Sequence, residues 1–414
     1  MPRRPVLDVL EHRKATRQKS LVGTQLTMTL RRFIFWLHLS VGLTVGLVVA
    51  FMAITGSIMA FQSQIIAWAE RSARVAISAP VNTCISPATL LVRAMADQHR
   101  PPTSLTLFAD PHRPAEVVFG RDTLLVNPCS GDIIRRDAGR LRTFFSDVRD
   151  LHRWVAWGGV RHENLRAIKD AANLCFFFLL LSGLYLWFPR KVSWQHFKPA
   201  MLFRPNLKGR ARDWNLHNIF GFWMALPLLC MVLTGTIMAY PWATALLYRA
   251  AGSPPPPVKP EAEPKQKKTL SPDEYSLLDP AILRAMAQDP HWNSLLMRMP
   301  AEKDTAIAFT VDEGDGGIPR QRAQLSIARK DARVIRWEPL SANSRGRQWR
   351  IDARFLHTGE IFGPIGQMIA LLAALSLLLL VWTGFSLAIR RWLAWKTLRM
   401  SRAKPAPQPQ ETYS

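Results

Sequence analysis

The chain has 414 residues, 48% of them hydrophobic, and a formal net charge of +24. This length is enough for two or three domains. Most of the excess charge lies in three short segments (1–32, 188–212 and 390–414) that flank apolar stretches. Basic residues in such places are typical of the cytoplasmic ends of membrane spans. The charge therefore favours a membrane protein in contact with the lipid bilayer, and we expect no nucleic-acid partner.

The first apolar stretch, residues 33–61, has no small-residue cleavage signal at its end. Because about 20 apolar residues cross a bilayer core and a secretory signal is shorter, we predict an uncleaved span. A similar stretch occurs later. Residues 37–61 and 216–240 share Leu-His, a glycine four residues after the histidine, and Thr-Gly-[Ser/Thr]-Ile-Met-Ala followed by an aromatic residue. This similarity predicts two copies of one plan.

Mixed-charge modules separate the apolar spans. Residues 63–150 combine a helical pattern at 87–98 with strand-like runs at 104–110, 115–120 and 123–134. Residues 277–337 repeat this pattern, and 282–289 (ILRAMAQD) resembles 91–98 (LVRAMADQ). We therefore predict a membrane α-helical fold with four transmembrane helices in two span–module–span repeats and two small α+β modules.

The predicted boundaries are a basic cytoplasmic amino terminus (1–32), the first span (33–61), the first module (63–150), a lead-in with the second span (151–188), a basic cytoplasmic loop (189–212), the third span (213–242), a proline-rich linker (251–268), the second module (269–350), a lead-in with the fourth span (355–391) and a cytoplasmic tail (392–414). Both termini then face the cytoplasm and both modules face the periplasm. This topology is that of a multi-pass protein of a bacterial inner membrane.

Four histidines occupy corresponding places in the predicted repeats. His38 and His217 begin the first and third spans near the cytoplasm, and His152 and His357 begin the second and fourth near the periplasm. Ionisable groups in spans are rare and usually functional. Neutral imidazoles from two facing helices can supply both axial ligands of a haem iron. We therefore predict two haems, one above the other, and the absence of Cys-x-x-Cys-His makes them b-type.

Other roles for these histidines fit less well. One zinc ion needs converging ligands, whereas the two pairs lie on opposite membrane faces. A proton relay lacks acidic partners in the spans. Gly42 and Gly221, four residues after their histidines, either leave room for a flat macrocycle or allow close helix packing, and both interpretations stay open.

Several assignments remain open in the sequence. His162 is an alternative to His152, because the segment from His152 to the next Ser-Gly pair is longer than its counterpart in the fourth span. Arg153, Arg161 and Arg190 are either partners of haem propionates or interfacial anchors. Cys84 and Cys129 lie in the first module, where a periplasmic location allows but does not require a disulfide.

These features resemble the PepSY-associated transmembrane family over roughly residues 30–392. The resemblance is carried by the Leu-His-x-x-x-Gly and Thr-Gly-[Ser/Thr] motifs, the Leu-His pairs before the second and fourth spans, the Trp-x-Pro-Arg stop at 187–190 and the duplicated modules. The family includes iron-regulated inner-membrane proteins, among them ferric-siderophore reductases that resemble di-haem cytochromes b. The resemblance implies PepSY-like modules, haem ligation at the four matching histidines, and reduction of siderophore-bound iron(III), which weakens the chelate and releases the metal.

Two functions from different classes follow. The first is a di-haem b-type inner-membrane reductase of ferric siderophores. The second is a non-enzymatic envelope protein whose PepSY-like modules bind a peptide or protein, with structural histidines. A permease is disfavoured because we expect neither an acid nor a broken helix within the spans. No dinucleotide fingerprint or flavin-like segment is visible, so we expect electrons to come from quinol or another protein.

Overall fold

The computed structural model describes residues 5–70, 84–135, 137–155, 162–189, 193–257, 270–314 and 321–402. The chain forms two compact units. The helical unit comprises Met1–Ile54, Ala171–Val232 and Ala373–Ser414. The sheet unit comprises Thr55–Asp170 and Leu233–Leu372.

The α-helices in chain order are α1 (Pro5–Met59), α2 (Gln62–Glu70), α3 (Pro87–Gln98), α4 (Asp137–Trp154), α5 (Glu163–Trp187), α6 (Trp194–Met201), α7 (Gly209–Trp223), α8 (Ala225–Ala239), α9 (Pro241–Ala250), α10 (Asp279–Gln288), α11 (Arg345–Thr358) and α12 (Gly363–Arg402). The strands are β1 (Ser104–Phe108), β2 (Ala115–Phe119), β3 (Asp122–Val126), β4 (Ile133–Arg135), β5 (Ser294–Arg298), β6 (Ala306–Asp312), β7 (Arg322–Ala328) and β8 (Val334–Pro339). The predicted strand-like runs and the two predicted module helices are confirmed.

Three segments of the described chain are long and apolar enough to cross a membrane: Thr29–Glu70, Glu163–Trp187 and Glu360–Thr397. A fourth span results if α7 and α8 are counted together, although they meet at a bend of 63°. Pro227 accounts for the bend, because its nitrogen cannot donate to the carbonyl oxygen of Trp223 one turn earlier. The expectation of unbroken spans is therefore wrong at this helix.

Four of these helices share an apolar core in the helical unit. Its buried residues come from α1, α5, α8 and α12, and they are Val49, Ala53, Leu180, Leu228, Val232, Ala373 and Leu377. Many other large apolar side chains of the same helices are exposed, among them Leu47, Leu226 and Ile365. Exposed apolar surface of this extent on long helices is expected where lipid rather than water is the solvent.

One antiparallel sheet of eight strands organises the sheet unit, in the order β4-β3-β2-β1-β5-β6-β7-β8. The first four strands belong to the first predicted module and the last four to the second. The two sets join where β1 pairs with β5, with Ser104 opposite Arg298 and Phe108 opposite Ser294. The sequence analysis did not predict this pairing, which makes the two modules one continuous sheet.

The sheet is covered by α3 and α10, which bury corresponding residues. The shared Arg-Ala-Met-Ala sequence places Ala94 and Ala285 in the core with no exposed surface, while Arg93 and Arg284 are exposed. The strands bury alternate residues, as the side chains at 307, 309 and 311 of β6 do. The helical and strand periods therefore place one apolar face of each element in a common core.

A disulfide joins Cys84 to Cys129 in the sheet unit, which answers the question that the sequence left open. Disulfides persist in oxidising compartments such as the bacterial periplasm.

Two helices of the sheet unit end just after a histidine. Val155 follows α4 with φ +50°, and Gly359 follows α11 with φ +77°, a backbone state that ends helices. At Gly359 a Cβ would lie 2.2 Å from the backbone oxygen of Gly366 in α12, so only glycine fits. We predicted that His152 and His357 begin spans, but each lies in the last turn of a separate helix.

Candidate functional site

Each of the four predicted histidines forms a hydrogen bond between its Nδ1 atom and the hydroxyl of a serine or threonine. The pairs and their distances are His38 with Ser182 at 2.8 Å, His217 with Thr383 at 2.9 Å, His152 with Thr55 at 2.8 Å and His357 with Thr234 at 3.0 Å. These hydroxyls belong to the Thr-Gly and Ser-Gly motifs, whose part as histidine partners was not apparent from the sequence.

The four hydroxyl residues share a local pattern. Each precedes a glycine in its helix, and their exposed fractions lie between 0% and 5%. A Cβ added to Gly183, Gly56 or Gly384 would lie 3.4, 3.5 or 3.7 Å from Cε1 of the imidazole that the preceding hydroxyl binds. These are ordinary van der Waals distances, so the edge of the ring lies against the helix backbone without requiring glycine, and the hydroxyl fixes the orientation of the ring.

Each histidine and its hydroxyl partner lie on different helices of the same half of the chain. In the first half of the chain, α1 carries His38 and Thr55; His38 bonds a hydroxyl on α5, and Thr55 bonds His152 on α4. In the second half, the helices α7, α8, α11 and α12 make the same exchange through His217 and His357. Each half of the chain thus contains two of these histidines and two hydroxyl-glycine motifs, and each of the four histidines forms its hydrogen bond with a hydroxyl of the same half.

The protonation state of two histidines follows from these contacts. The hydroxyl oxygen of Ser182 lies 2.7 Å from the carbonyl oxygen four residues earlier in its helix. The corresponding distance at Thr383 is 2.8 Å. A carbonyl only accepts, so each hydroxyl donates its one proton to its own helix and accepts a hydrogen from Nδ1. His38 and His217 are therefore Nδ1–H tautomers, the form in which Nε2 can ligate a metal.

The two histidines of the sheet unit form a close pair. The ring centroids of His152 and His357 are 6.4 Å apart, and the ring planes are inclined by 62°. Two metal–nitrogen bonds of about 2.0 Å, with a ring radius of about 1.1 Å on each side, place axial imidazoles about 6 Å apart. The spacing fits one metal ion held between the rings, and the donor set is that of a bis-histidine haem.

The other two histidines lie together in the helical unit. His38 and His217 are close enough for their charges to interact, and both are half-buried. Gly42 and Gly221 face corresponding leucines of the neighbouring spans, at 3.8 and 3.7 Å from an added Cβ. These are ordinary packing distances, so neither glycine is required by a close contact with the protein.

An acidic residue that the sequence analysis missed lies one turn before His217. Asp213 is 1% exposed. It accepts a hydrogen bond from Ser386 at 2.6 Å and lies 3.0 Å from Arg212 and 3.5 Å from Arg390. The expectation that the spans contain no acid is therefore wrong for α7. These cationic and hydroxyl partners compensate the buried carboxylate.

The remaining predicted residues are placed as follows. His162 is exposed just before α5, whereas His152 is half-buried and contacts the ring of His357. The guanidinium carbon of Arg153 lies 5.5 Å from the ring centroid of Trp154. Arg161 and Arg190, named as possible propionate partners, lie outside the described residues.

The chain matches a known protein family. A family model described as "PepSY-associated TM region" matches residues 35–391. The match spans all four histidines and all four hydroxyl partners. A comparison with curated proteins gives no match.

Proposed function

Because the chain belongs to the family of PepSY-associated transmembrane regions, we propose that it is a di-haem b-type reductase of the bacterial inner membrane. Its substrate is the iron(III) of a ferric siderophore in the periplasm. The observation that carries this proposal is the exchange of four imidazole–hydroxyl hydrogen bonds, one for each predicted ligand. Structural histidines have no general need for the same kind of partner at each position.

In this proposal the protein orients the four histidine side chains that ligate haem and fixes the tautomer of two of them. Haem iron bound by two imidazoles supplies one-electron transfer. The buried hydroxyls keep the hydrogen on Nδ1 of His38 and His217 and orient all four rings. Hydrogen bonds to the second nitrogen of a ligating imidazole fix its orientation and strengthen its binding to metal. His152, rather than the exposed His162, is the proposed partner of His357.

The proposed topology has four spans in two span–module–span repeats, with both termini in the cytoplasm. The long apolar helices support insertion in a membrane, and the Cys84–Cys129 disulfide supports a periplasmic sheet unit. In this topology His38 and His217 would hold a haem near the cytoplasm and His152 and His357 a haem near the periplasm, so that the two would supply electron transfer across the membrane. Quinol or another protein is the proposed donor.

The test is reduction of a ferric siderophore by the purified full-length protein. We expect two haems per chain after expression in haem-replete cells, reduction by quinol, and reoxidation when a ferric siderophore is added. A chelator that captures iron(II) should then develop its colour. The gallium(III) complex of the same siderophore is the control, since its shape matches but it accepts no electron. Purified protein without Soret absorption would refute the proposal.

The hydroxyl partners provide a second prediction. Thr383→Val removes the acceptor of the His217 Nδ1–H while nearly preserving side-chain volume, so haem transfer to apomyoglobin should become about 10–100-fold faster. Thr383→Ser keeps the hydroxyl and should resemble the wild type. Thr44→Val is the matched control, because within the described part of the chain the Thr44 hydroxyl bonds the Ser40 carbonyl oxygen of its own helix and no histidine. Equal transfer rates for Thr383→Val and Thr44→Val would exclude a role of this hydroxyl in ligand binding.

A further inference from the structure

A group of arginines lies beside the two histidines of the sheet unit. Arg149 is three residues before His152 on α4, and Arg354 is three residues before His357 on α11. Residues three apart share one face of a helix. Because the two imidazoles are 6.4 Å apart, the helix faces that carry Arg149 and Arg354 border the same space.

The charges in this group are incompletely paired. Arg354 has three arginines among its electrostatic neighbours (Arg149, Arg153 and Arg322), and the one acid among these neighbours is Glu360. Glu360 is also a neighbour of Arg149, and its carboxylate accepts a hydrogen bond from Thr358 at 3.1 Å. Arg149 and Arg354 therefore share Glu360, since the nearby acids have partners of their own.

Those other acids are occupied within the described part of the chain. Asp312 pairs with Arg322 at 2.6 Å. Asp150, next to Arg149 in sequence, lies 3.7 Å from Arg121, which also pairs with Asp147. Among the described residues, the guanidinium group of neither Arg149 nor Arg354 forms a hydrogen bond or an ion pair.

The environment of both guanidinium groups disfavours their charge. Desolvation by surrounding protein atoms lowers the pKa of Arg149, and Arg153 adds to the effect while Asp150 and Glu360 oppose it. Desolvation also lowers the pKa of Arg354, and its arginine neighbours add to the effect. Both residues are nevertheless exposed, so a ligand can reach them. An anion bound between them would relieve this repulsion.

We propose that Arg149 and Arg354 form a binding site for a ligand with paired carboxylates that lies against His152 and His357. A guanidinium fork binds a carboxylate through two parallel hydrogen bonds. Three residues of helix separate each arginine from its histidine by about 4.5 Å along the axis. The ligand is therefore flat or extended, with its carboxylates at one edge.

Two sources supply this chemistry. One is the propionate edge of the haem in the proposed function, and this assignment rests on that function. The other is a soluble polycarboxylate, including a carboxylate-bearing iron chelate. In both cases the arginines are positioning residues that hold the ligand by its acidic groups.

The test uses full-length protein in detergent with Arg149→Met, Arg354→Met and the double variant. Arg347→Met is the matched control, because it lies two turns earlier on the same face of α11 and is exposed. In the first arm, iron protoporphyrin IX and its dimethyl ester are titrated into His38→Ala/His217→Ala protein from haem-starved cells. We expect binding of the free acid to be at least about tenfold tighter than that of the ester. The double arginine variant should lose this preference, and Arg347→Met should keep it.

In the second arm, radiolabelled citrate is dialysed against protein that keeps all four histidines. Arginine-dependent binding of citrate, without a preference for the free-acid porphyrin, assigns the site to a soluble polycarboxylate and supports the proposal. Arg149→Lys should retain part of either preference, since it keeps charge but loses the fork. If the double variant matches Arg347→Met in both arms, the proposal is overturned. Failure of wild-type protein to bind any porphyrin refutes the proposed function, while the citrate arm still decides the arginine site.

Discussion

His357→Ala is expected to remove about half of the low-spin haem signal, and His152→Ala should remove the same half. The two rings are spaced to hold one metal, so either substitution breaks the same bis-histidine centre. Combining them should cause no further loss. Combining His357→Ala with His38→Ala should remove nearly all of the signal, because the second substitution breaks the other centre. Dithionite-reduced minus oxidised spectra of purified variants, normalised to protein, measure these losses.

Two other histidines control this experiment. His162→Ala changes an exposed residue near the start of α5, and His291→Ala changes a residue in the second module. Both should keep the full signal. Loss of haem in His162→Ala with retention in His152→Ala would reverse the assignment of this ligand. Full haem content in all four ligand variants would favour the partner-binding alternative, in which the histidines are structural.

The sequence located His38 and His217 because an ionisable residue stands out in an apolar span, and it located His152 and His357 because the Leu-His motif recurs. It did not reveal what they bond. Each partner hydroxyl lies on a different helix from its histidine, 97 residues away for Thr55 and His152. The hydroxyl residue before each glycine was visible in the sequence. Its pairing with a histidine depends on which helices are neighbours, and no local sequence pattern specifies that.

Other features differ in how far the sequence could specify them. The strands were predictable from alternating burial, but the pairing of β1 with β5 joins segments nearly 200 residues apart. Such an edge pairing depends on backbone groups, which all residues except proline share. The bend before α8 was visible as Pro227 in an apolar run, and proline is known to break helices. Asp213 was overlooked because the repeat comparison began three residues after it.

Arg142→Met is expected to give the largest loss of stability. Arg142, on α4, donates to Glu116 on β2 at 2.6 and 3.1 Å and to Glu70 on α2 at 2.6 and 2.9 Å. Glu116 is 9% exposed. Removing one partner of a buried ion pair costs about 3–5 kcal/mol. We expect about the lower value, roughly a 10 °C fall in melting temperature, because a quarter of the Arg142 side chain is exposed. Thermal unfolding of detergent-purified protein measures the loss.

The double variant Arg142→Met/Glu116→Gln separates loss of the pair from loss of packing. Without Arg142 the remaining cost is a buried carboxylate, which glutamine removes, so the double variant should recover at least half of the lost stability. Desolvation raises the pKa of Glu116, Arg142 opposes this shift and Glu70 adds to it. Removing Arg142 should therefore raise the pKa further.

The raised pKa of Glu116 determines the direction in which stability changes with pH. A raised folded-state pKa contributes stability below the unfolded value, about 4.3 for glutamate, and this contribution is lost as pH rises through the folded value. The melting-temperature difference between Arg142→Met and the double variant should thus be smallest near pH 4 and grow toward neutral pH. A difference that does not vary with pH would show that buried charge is not the cause. Because α4 also carries Arg149 and His152, stable attachment of this helix to β2 is a condition for the ligand geometry of the sheet unit.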